Sequence, residues 1–144
     1  MKFALGGDHA GYEYKNQVAF FLKQKGHEVK DFGPYSADSC DYPDYVHPVA
    51  NAIESKECEL GIIICGSGNG VAMTVNKHQR IRCALAWDSE IAQLARLHND
   101  ANIVSIPARY VTPERALEIV TAFIETEFEG GRHQNRVSKI PCTP

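Results

Sequence analysis

Leu60-Gly61-Ile62-Ile63-Ile64-Cys65-Gly66-Ser67-Gly68-Asn69-Gly70 decides the architecture. From Leu60 to Cys65 nothing polar interrupts the run. A strand that is apolar on both faces must lie inside a parallel sheet covered by helices on both sides. Three glycines between Gly66 and Gly70 then break the strand, and Val71 to Val75 restarts as a short helix. A strand, a glycine turn and a helix form half of a β–α–β unit, so the flanking sequence should supply more of them.

It does so on both sides. Upstream, Phe3-Ala4-Leu5 reads as a strand ending at Gly6-Gly7, and Tyr14, Val18, Phe21 and Leu22 recur at helical spacing until Gly26 stops them. His27 to Phe32 reads as a second strand closed by Gly33-Pro34. A polar loop through Tyr35–Asp44 leads to a helix with Val46, Val49, Ala50 and Ile53 on one face. Downstream, Cys83 to Trp87 is a fourth strand, and Asp88 or Ser89 caps a helix bearing Ile91, Leu94, Ala95 and Leu97. Ile103–Ile106 is a fifth strand. Thr112-Pro113 opens a last helix with Ala116, Leu117, Val120, Phe123 and Ile124 inward. From 129 to 144 the chain becomes polar and proline-bearing and reads as a C-terminal arm. The expectation is an α/β fold: a three-layer, Rossmann-like sandwich with a five-stranded, mainly parallel sheet, one domain over 1–144.

Composition narrows the function. The 144 residues carry a net charge of −3, which gives no general attraction to nucleic acid or anionic membrane. No apolar run approaches the roughly 20 residues that span a bilayer, and the apolar start is too short for a signal peptide. The five cysteines, Cys40, Cys58, Cys65, Cys83 and Cys142, form no CxxC pair, which suits a reducing cytoplasm. His9, His27, His47, His78, His98 and His133 show no HxH or HExxH spacing, and Asp38, Asp41 and Asp44 do not match a calcium loop, so no metal is expected.

In doubly wound sheets ligands sit beyond the carboxyl ends of the strands, which points to Gly7–Gly11, Gly66–Gly70, Asp88 and the segment after Ile106. Cys65 ends the central strand against a loop whose backbone N–H groups can turn inward to hold an oxyanion or phosphate. Positive partial charge of that kind favours the thiolate as base or nucleophile. Equally, Cys65 reads as a small buried hydrophobe before a tight turn. Asp8 and His9 could orient sugar hydroxyls or meet a phosphate, or be a helix cap with a solvated neighbour. His98 and Asn99 could be an acid–base group and an oxyanion donor, or simply complement the negative end of a helix. Arg132 and Arg136 are four apart, so a helical turn presents both guanidiniums to a phosphate, unless they are a solvated tail balancing Glu125, Glu127 and Glu129. Val71 stands where a C-x5-R phosphatase loop needs arginine and where G-x-G-x-x-G needs its third glycine. No Walker lysine follows Gly70.

Taken in order, these segments resemble the ribose-5-phosphate isomerase B family, which includes galactose-6-phosphate isomerase subunits. The resemblance rests on Gly7-Asp8-His9-Ala10-Gly11, Asp41-Tyr42-Pro43-Asp44, Cys65 to Gly70, Asn76-Lys77, Arg96 to Asn102, Arg109, Arg132 and Arg136. It implies an aldose–ketose isomerase interconverting D-ribose 5-phosphate and D-ribulose 5-phosphate through a cis-enediolate, with no metal or other cofactor. His98, helped by Asp8, would open the sugar ring; Cys65 would move the proton between C2 and C1; Ser67 would shuttle a proton between the substrate oxygens. Gly66, Gly68, Asn69, Gly70 and Asn99 would hold the developing charge, His9, Arg109, Arg132 and Arg136 the phosphate, and Tyr42 would line the sugar site. The resemblance further implies a homodimer with sites shared between subunits, or a tetramer built from dimers. Cys65 places the chain in the branch that uses cysteine rather than a carboxylate as base. Ser67 stands where many relatives carry threonine, and Pro107 where relatives usually have the glycine preceding Arg109.

Three competing readings remain. One keeps the chemistry but changes the sugar, to galactose 6-phosphate or allose 6-phosphate. Another, a nucleotide-binding module, rests only on Gly66-x-Gly68-x-Gly70 with Asp88 downstream. The third, a hydrolase using Cys65 and His98, would need a covalent intermediate.

Overall fold

A computed structural model describes residues 1–142, so the last two positions of the expected arm, 143 and 144, lie outside the described residues. The strands are β1 (Lys2–Gly7), β2 (Glu28–Asp31), β3 (Leu60–Cys65), β4 (Cys83–Leu85) and β5 (Ile103–Pro107). The helices are α1 (Tyr12–Gln24), α2 (Pro43–Glu54), α3 (Asn69–Val75), α4 (Ser89–Asn99), α5 (Pro113–Glu125) and the short α6 (His133–Val137), with a 3₁₀ turn at His9–Gly11. The sheet order is β2-β1-β3-β5-β4, and every pairing is parallel. The sheet is therefore wholly rather than mainly parallel, because each strand is joined to the next by a helical crossover.

β3 sits at the centre with all six residues buried. Successive side chains alternate between two cores, as a strand's period of two requires. Phe3, Leu5, Ile62, Ile64, Val104 and Ile106 pack with α1, α4 and α5. Ala4, Ile63, Cys65 and Ile103 pack with α2 and α3 on the other face. These are the three expected layers.

Local chemistry fixes the element ends. Asp88, not Ser89, caps α4, its Oδ1 accepting from Ile91 N at 2.9 Å. Thr112 caps α5 through Arg115 N at 3.1 Å, with Pro113 in the first turn. β4 stops at Leu85, short of the Cys83–Trp87 run, because the chain turns toward the Asp88 cap. On its outer edge the Asn76 amide imitates a neighbouring strand: Asn76 Nδ2 donates to Cys83 O at 3.1 Å, and Cys83 N donates to Asn76 Oδ1 at 2.8 Å.

One buried charge braces the carboxyl end of β1. Lys15 is 1 % exposed and donates to Asp31 Oδ2 at 2.7 Å. The other Asp31 oxygen accepts from Gly33 N at 2.8 Å, and Gly33 O accepts from Gly7 N at 3.1 Å. Asp8 follows directly.

Candidate active site

β1 and β3 are neighbours whose onward connections leave in opposite directions, toward β2 and toward β4. Such a switch point opens a crevice at the carboxyl ends of the strands. A cavity of about 310 Å³ lies there. Cys65, Gly66, Ser67 and Gly70 form one wall, and Asp8, Tyr42, Arg109 and Tyr110 complete it.

Cys65 is 5 % exposed, and its Sγ accepts a hydrogen bond from Gly68 N at 3.1 Å. That contact requires the loop to fold back on the strand end. Gly68 does this with φ +78°, and a Cβ there would lie 2.4 Å from Leu85 Cδ1. Glycine alone satisfies both conditions. Ser105, fully buried on β5, locks the turn by donating to Gly68 O at 2.7 Å. Asn69 N donates to Ser67 Oγ at 3.3 Å. The amides of Ser67 and Gly70 have no acceptor among the described residues and are available to an anion.

Arg109 is held over this loop despite Pro107. Ala108 N donates to Cys65 O at 2.8 Å and Arg109 N to Gly66 O at 3.0 Å, extending the β3–β5 ladder past the proline. A Cβ on Gly66 would come within 3.2 Å of Arg109 Nη1, so the guanidinium lies directly against the Gly66 backbone. Tyr42 closes on Gly70 in the same way: a Cβ there would be 2.5 Å from the phenol carbon and oxygen.

Asp8 caps the 3₁₀ turn, its Oδ1 accepting from Gly11 N at 2.9 Å. Next to it His9 Nδ1 is buried without a hydrogen-bond partner. His9 does not itself line the cavity. The Cys40 thiol meets the His9 amide, and burial pushes it up from the usual thiol range. Sequence reading did not single out Tyr110 for the site, since an exposed tyrosine carries no spacing signal.

The remaining predicted residues are elsewhere. α4 begins just beyond the carboxyl end of β4 and runs back, so its end, His98-Asn99, lies at the amino end of the sheet. Ile103, four residues past Asn99, pairs with Gly61, whereas Cys65 pairs with Pro107. Gly61 to Cys65 spans about 13 Å at the usual strand rise. Arg132 and Arg136 lie with His98, because Glu129 N donates to Leu97 O at 3.1 Å and anchors the arm to the end of α4. α6 is the expected helical turn and leaves both arginines exposed.

At this second location the His98 and His133 rings stack, with centroids 4.3 Å apart and planes at 17°. Both Nε2 atoms approach the same Glu129 oxygen, at 3.7 Å and 3.8 Å. Burial, with His98 beside it, holds His133 below the ordinary histidine range. The three donor atoms lie within 4.8 Å of one another. Because the rings are almost parallel, however, their in-plane lone pairs cannot converge on one ion. Sequence reading treated Glu129 as a balancing charge and left His133 without a role. The Glu129–His133 spacing of four was the signal available.

The family model described as "Ribose/Galactose Isomerase" matches residues 3–140. A probable ribose-5-phosphate isomerase B from Mycoplasma pneumoniae is 44% identical over 137 residues, covering 94% of this chain and 90% of the relative. The ribose-5-phosphate isomerase B structure from Clostridium thermocellum superposes with a TM-score of 0.96 at 47% identity, covering 97% of this chain and 95% of that one. That from Mycoplasma genitalium, which holds ribulose 5-phosphate, superposes with a TM-score of 0.92 at 39% identity over 96% and 93%.

Proposed function

The chain belongs to the Ribose/Galactose Isomerase family, and on that premise we propose that it interconverts D-ribose 5-phosphate and D-ribulose 5-phosphate with Cys65 as base. The observation that carries this reading is the thiol at the end of β3, hydrogen-bonded by a glycine loop with amides to spare and with Arg109 alongside.

Ribose 5-phosphate is mostly a furanose, so a proton must first reach the ring oxygen. His98 supplies it, and Asp8 takes up the proton of the anomeric hydroxyl. The Cys65 thiolate then removes the C2 proton. The C–H electron pair becomes the C1–C2 double bond, and the former carbonyl O1 becomes an oxyanion. Amides of the Gly66–Gly70 loop, foremost those of Ser67 and Gly70 that have no other acceptor among the described residues, stabilise this charge together with Asn99, and one well-placed donor contributes about 3 kcal/mol. Ser67 carries the proton of O2 to O1, the C2 carbonyl forms, and C1 takes the proton back from the thiol. No external oxidant, reductant or metal enters the balance.

The geometry of one chain cannot bring His98, Asn99, Arg132 and Arg136 to Cys65. We therefore place the complete site between two copies related by a two-fold axis. One copy contributes Asp8, His9, Tyr42, the Cys65 loop and Arg109, and the other contributes His98, Asn99 and the arm. His9 and Arg109 then hold the phosphate from one side and Arg132 and Arg136 from the other. This assembly is a homodimer. Among the described residues no helix is long and apolar enough to cross a membrane, and the five cysteines are unpaired, which supports a reducing, cytoplasmic setting.

The test is turnover of D-ribose 5-phosphate by the purified chain with EDTA present, read by formation of the ketose. Steady conversion is expected. Inactivity on ribose 5-phosphate with turnover of galactose or allose 6-phosphate would move the assignment to a six-carbon sugar. Inactivity on all three in folded dimer would overturn it.

A further inference from the structure

We propose that Glu129 and His133 are positioning residues for His98, holding its ring in the orientation from which it opens the substrate, and that they tie this orientation to the phosphate-gripping arm. The proposal rests on the reading of His98 as the ring-opening acid.

His98 sits in the last turn of α4 with its side chain 39 % exposed, so nothing on its own helix fixes the ring. Three contacts from the arm do so. Glu129 is anchored by its own amide to Leu97 O. Its carboxylate oxygen lies beside Nε2 of both imidazoles. The buried His133 ring covers one face of His98 at stacking distance. A flat, buried partner restricts the χ2 rotation that an exposed imidazole otherwise explores. Burial also disfavours the protonated form of His133, which lessens its tendency to compete with His98 as a second cation.

The same short helix that carries His133 carries the arginines. Arg132 precedes His133, and Arg136 lies three residues beyond it, with His133 facing inward and both arginines outward. Arginines that close on a phosphate therefore act on a rigid turn whose inner face rests on His98. Phosphate binding and placement of the acid become one event. A substrate lacking the phosphate would leave His98 less well ordered, which is how remote binding energy is used for catalysis. His133 Nε2 is buried without a hydrogen bond, so its contribution is the ring, not the nitrogen.

Ribulose 5-phosphate separates positioning of this acid from general damage. Its O5 carries the phosphate, so it cannot close to a furanose and has no ring to open. Exchange of its C1 hydrogen with D₂O, followed by NMR, requires only Cys65 and the enediolate. Glu129→Gln and His133→Ala are expected to lower kcat on ribose 5-phosphate about tenfold, a loss typical of a misplaced catalytic group. The same variants should leave C1 exchange within about twofold of the parent. His133→Phe keeps the ring and removes an unpartnered nitrogen, so it should recover most of the kcat lost in His133→Ala at undiminished thermal stability. Parallel loss of exchange and turnover, or unchanged turnover in both Glu129→Gln and His133→Ala, would overturn the proposal. So would a His133→Phe variant as slow as His133→Ala. Failure of the underlying isomerase reading looks different, because the parent protein itself would then show neither exchange nor turnover.

Discussion

Two dead variants should make a living enzyme when mixed. Cys65→Ala removes the base from the carboxyl-end half of the site, and His98→Asn removes the acid from the amino-end half. In a mixed dimer one site receives both defects and the other receives neither, because each site takes Cys65 from one copy and His98 from the other. Random exchange of equal amounts makes about half of all dimers mixed, each with one intact site of two, so activity should reach about a quarter of the parent's. The assay is ribose 5-phosphate turnover after the two purified variants are dissociated in mild denaturant and refolded together. Each variant treated alone is the control. If the mixture shows no more than the mean of the two controls, then Cys65 and His98 act within one chain and the division of the site inferred from the direction of α4 is wrong.

Other outcomes follow from single contacts. Cys65→Ala alone should abolish turnover and C1 exchange yet retain sugar-phosphate binding by calorimetry, since His9, Arg109 and the arm are untouched. Gly11→Ala would set a Cβ 2.2 Å from Ile64 O, a backbone atom that cannot swing aside. A clash of that kind costs about 3 kcal/mol, so the melting temperature should fall by about 6–12 °C; an unchanged value would show that the approach of the 3₁₀ turn to β3 is looser than described. Because the folded protein holds His133 below its ordinary value of 6.5, the unfolded chain binds the extra proton more readily. Thermal stability should therefore decline as pH falls below about 6.5, and less steeply in His133→Phe. An identical decline in both proteins would remove His133 from the explanation.

The sequence was most informative where one physical rule acted alone. The uninterrupted apolar run of β3, the Thr112-Pro113 helix start and the glycine loop after Cys65 each read correctly because strand burial, capping and positive φ leave few alternatives. β4 was overextended because Ala86 is as buried and apolar as a strand residue although the chain has already begun to turn. The residues around Cys65 could be collected by the rule that ligands lie at the carboxyl ends of strands. His98 and the arm could not, because that rule excludes them: residue type and spacing made them candidates, the resemblance implied their roles, and only the direction of α4 shows that they belong to a different end of the molecule. Glu129 and His133 were missed for a related reason. Their importance comes from stacking and a shared carboxylate, which no spacing pattern encodes.

The asparagine clasp on β4 bears on how this protein can associate. Trp87, Met73 and Ile140 are largely exposed, and such surfaces invite assembly. Placed beside an open strand edge they would also invite chain after chain to add backbone to backbone without limit. Asn76 occupies both hydrogen-bonding groups of Cys83, so an incoming strand finds that position already taken. Copies meeting there must fit by side-chain shape; when that fit is two-fold it closes after one partner, and self-recognition can be strong without becoming a route to fibres.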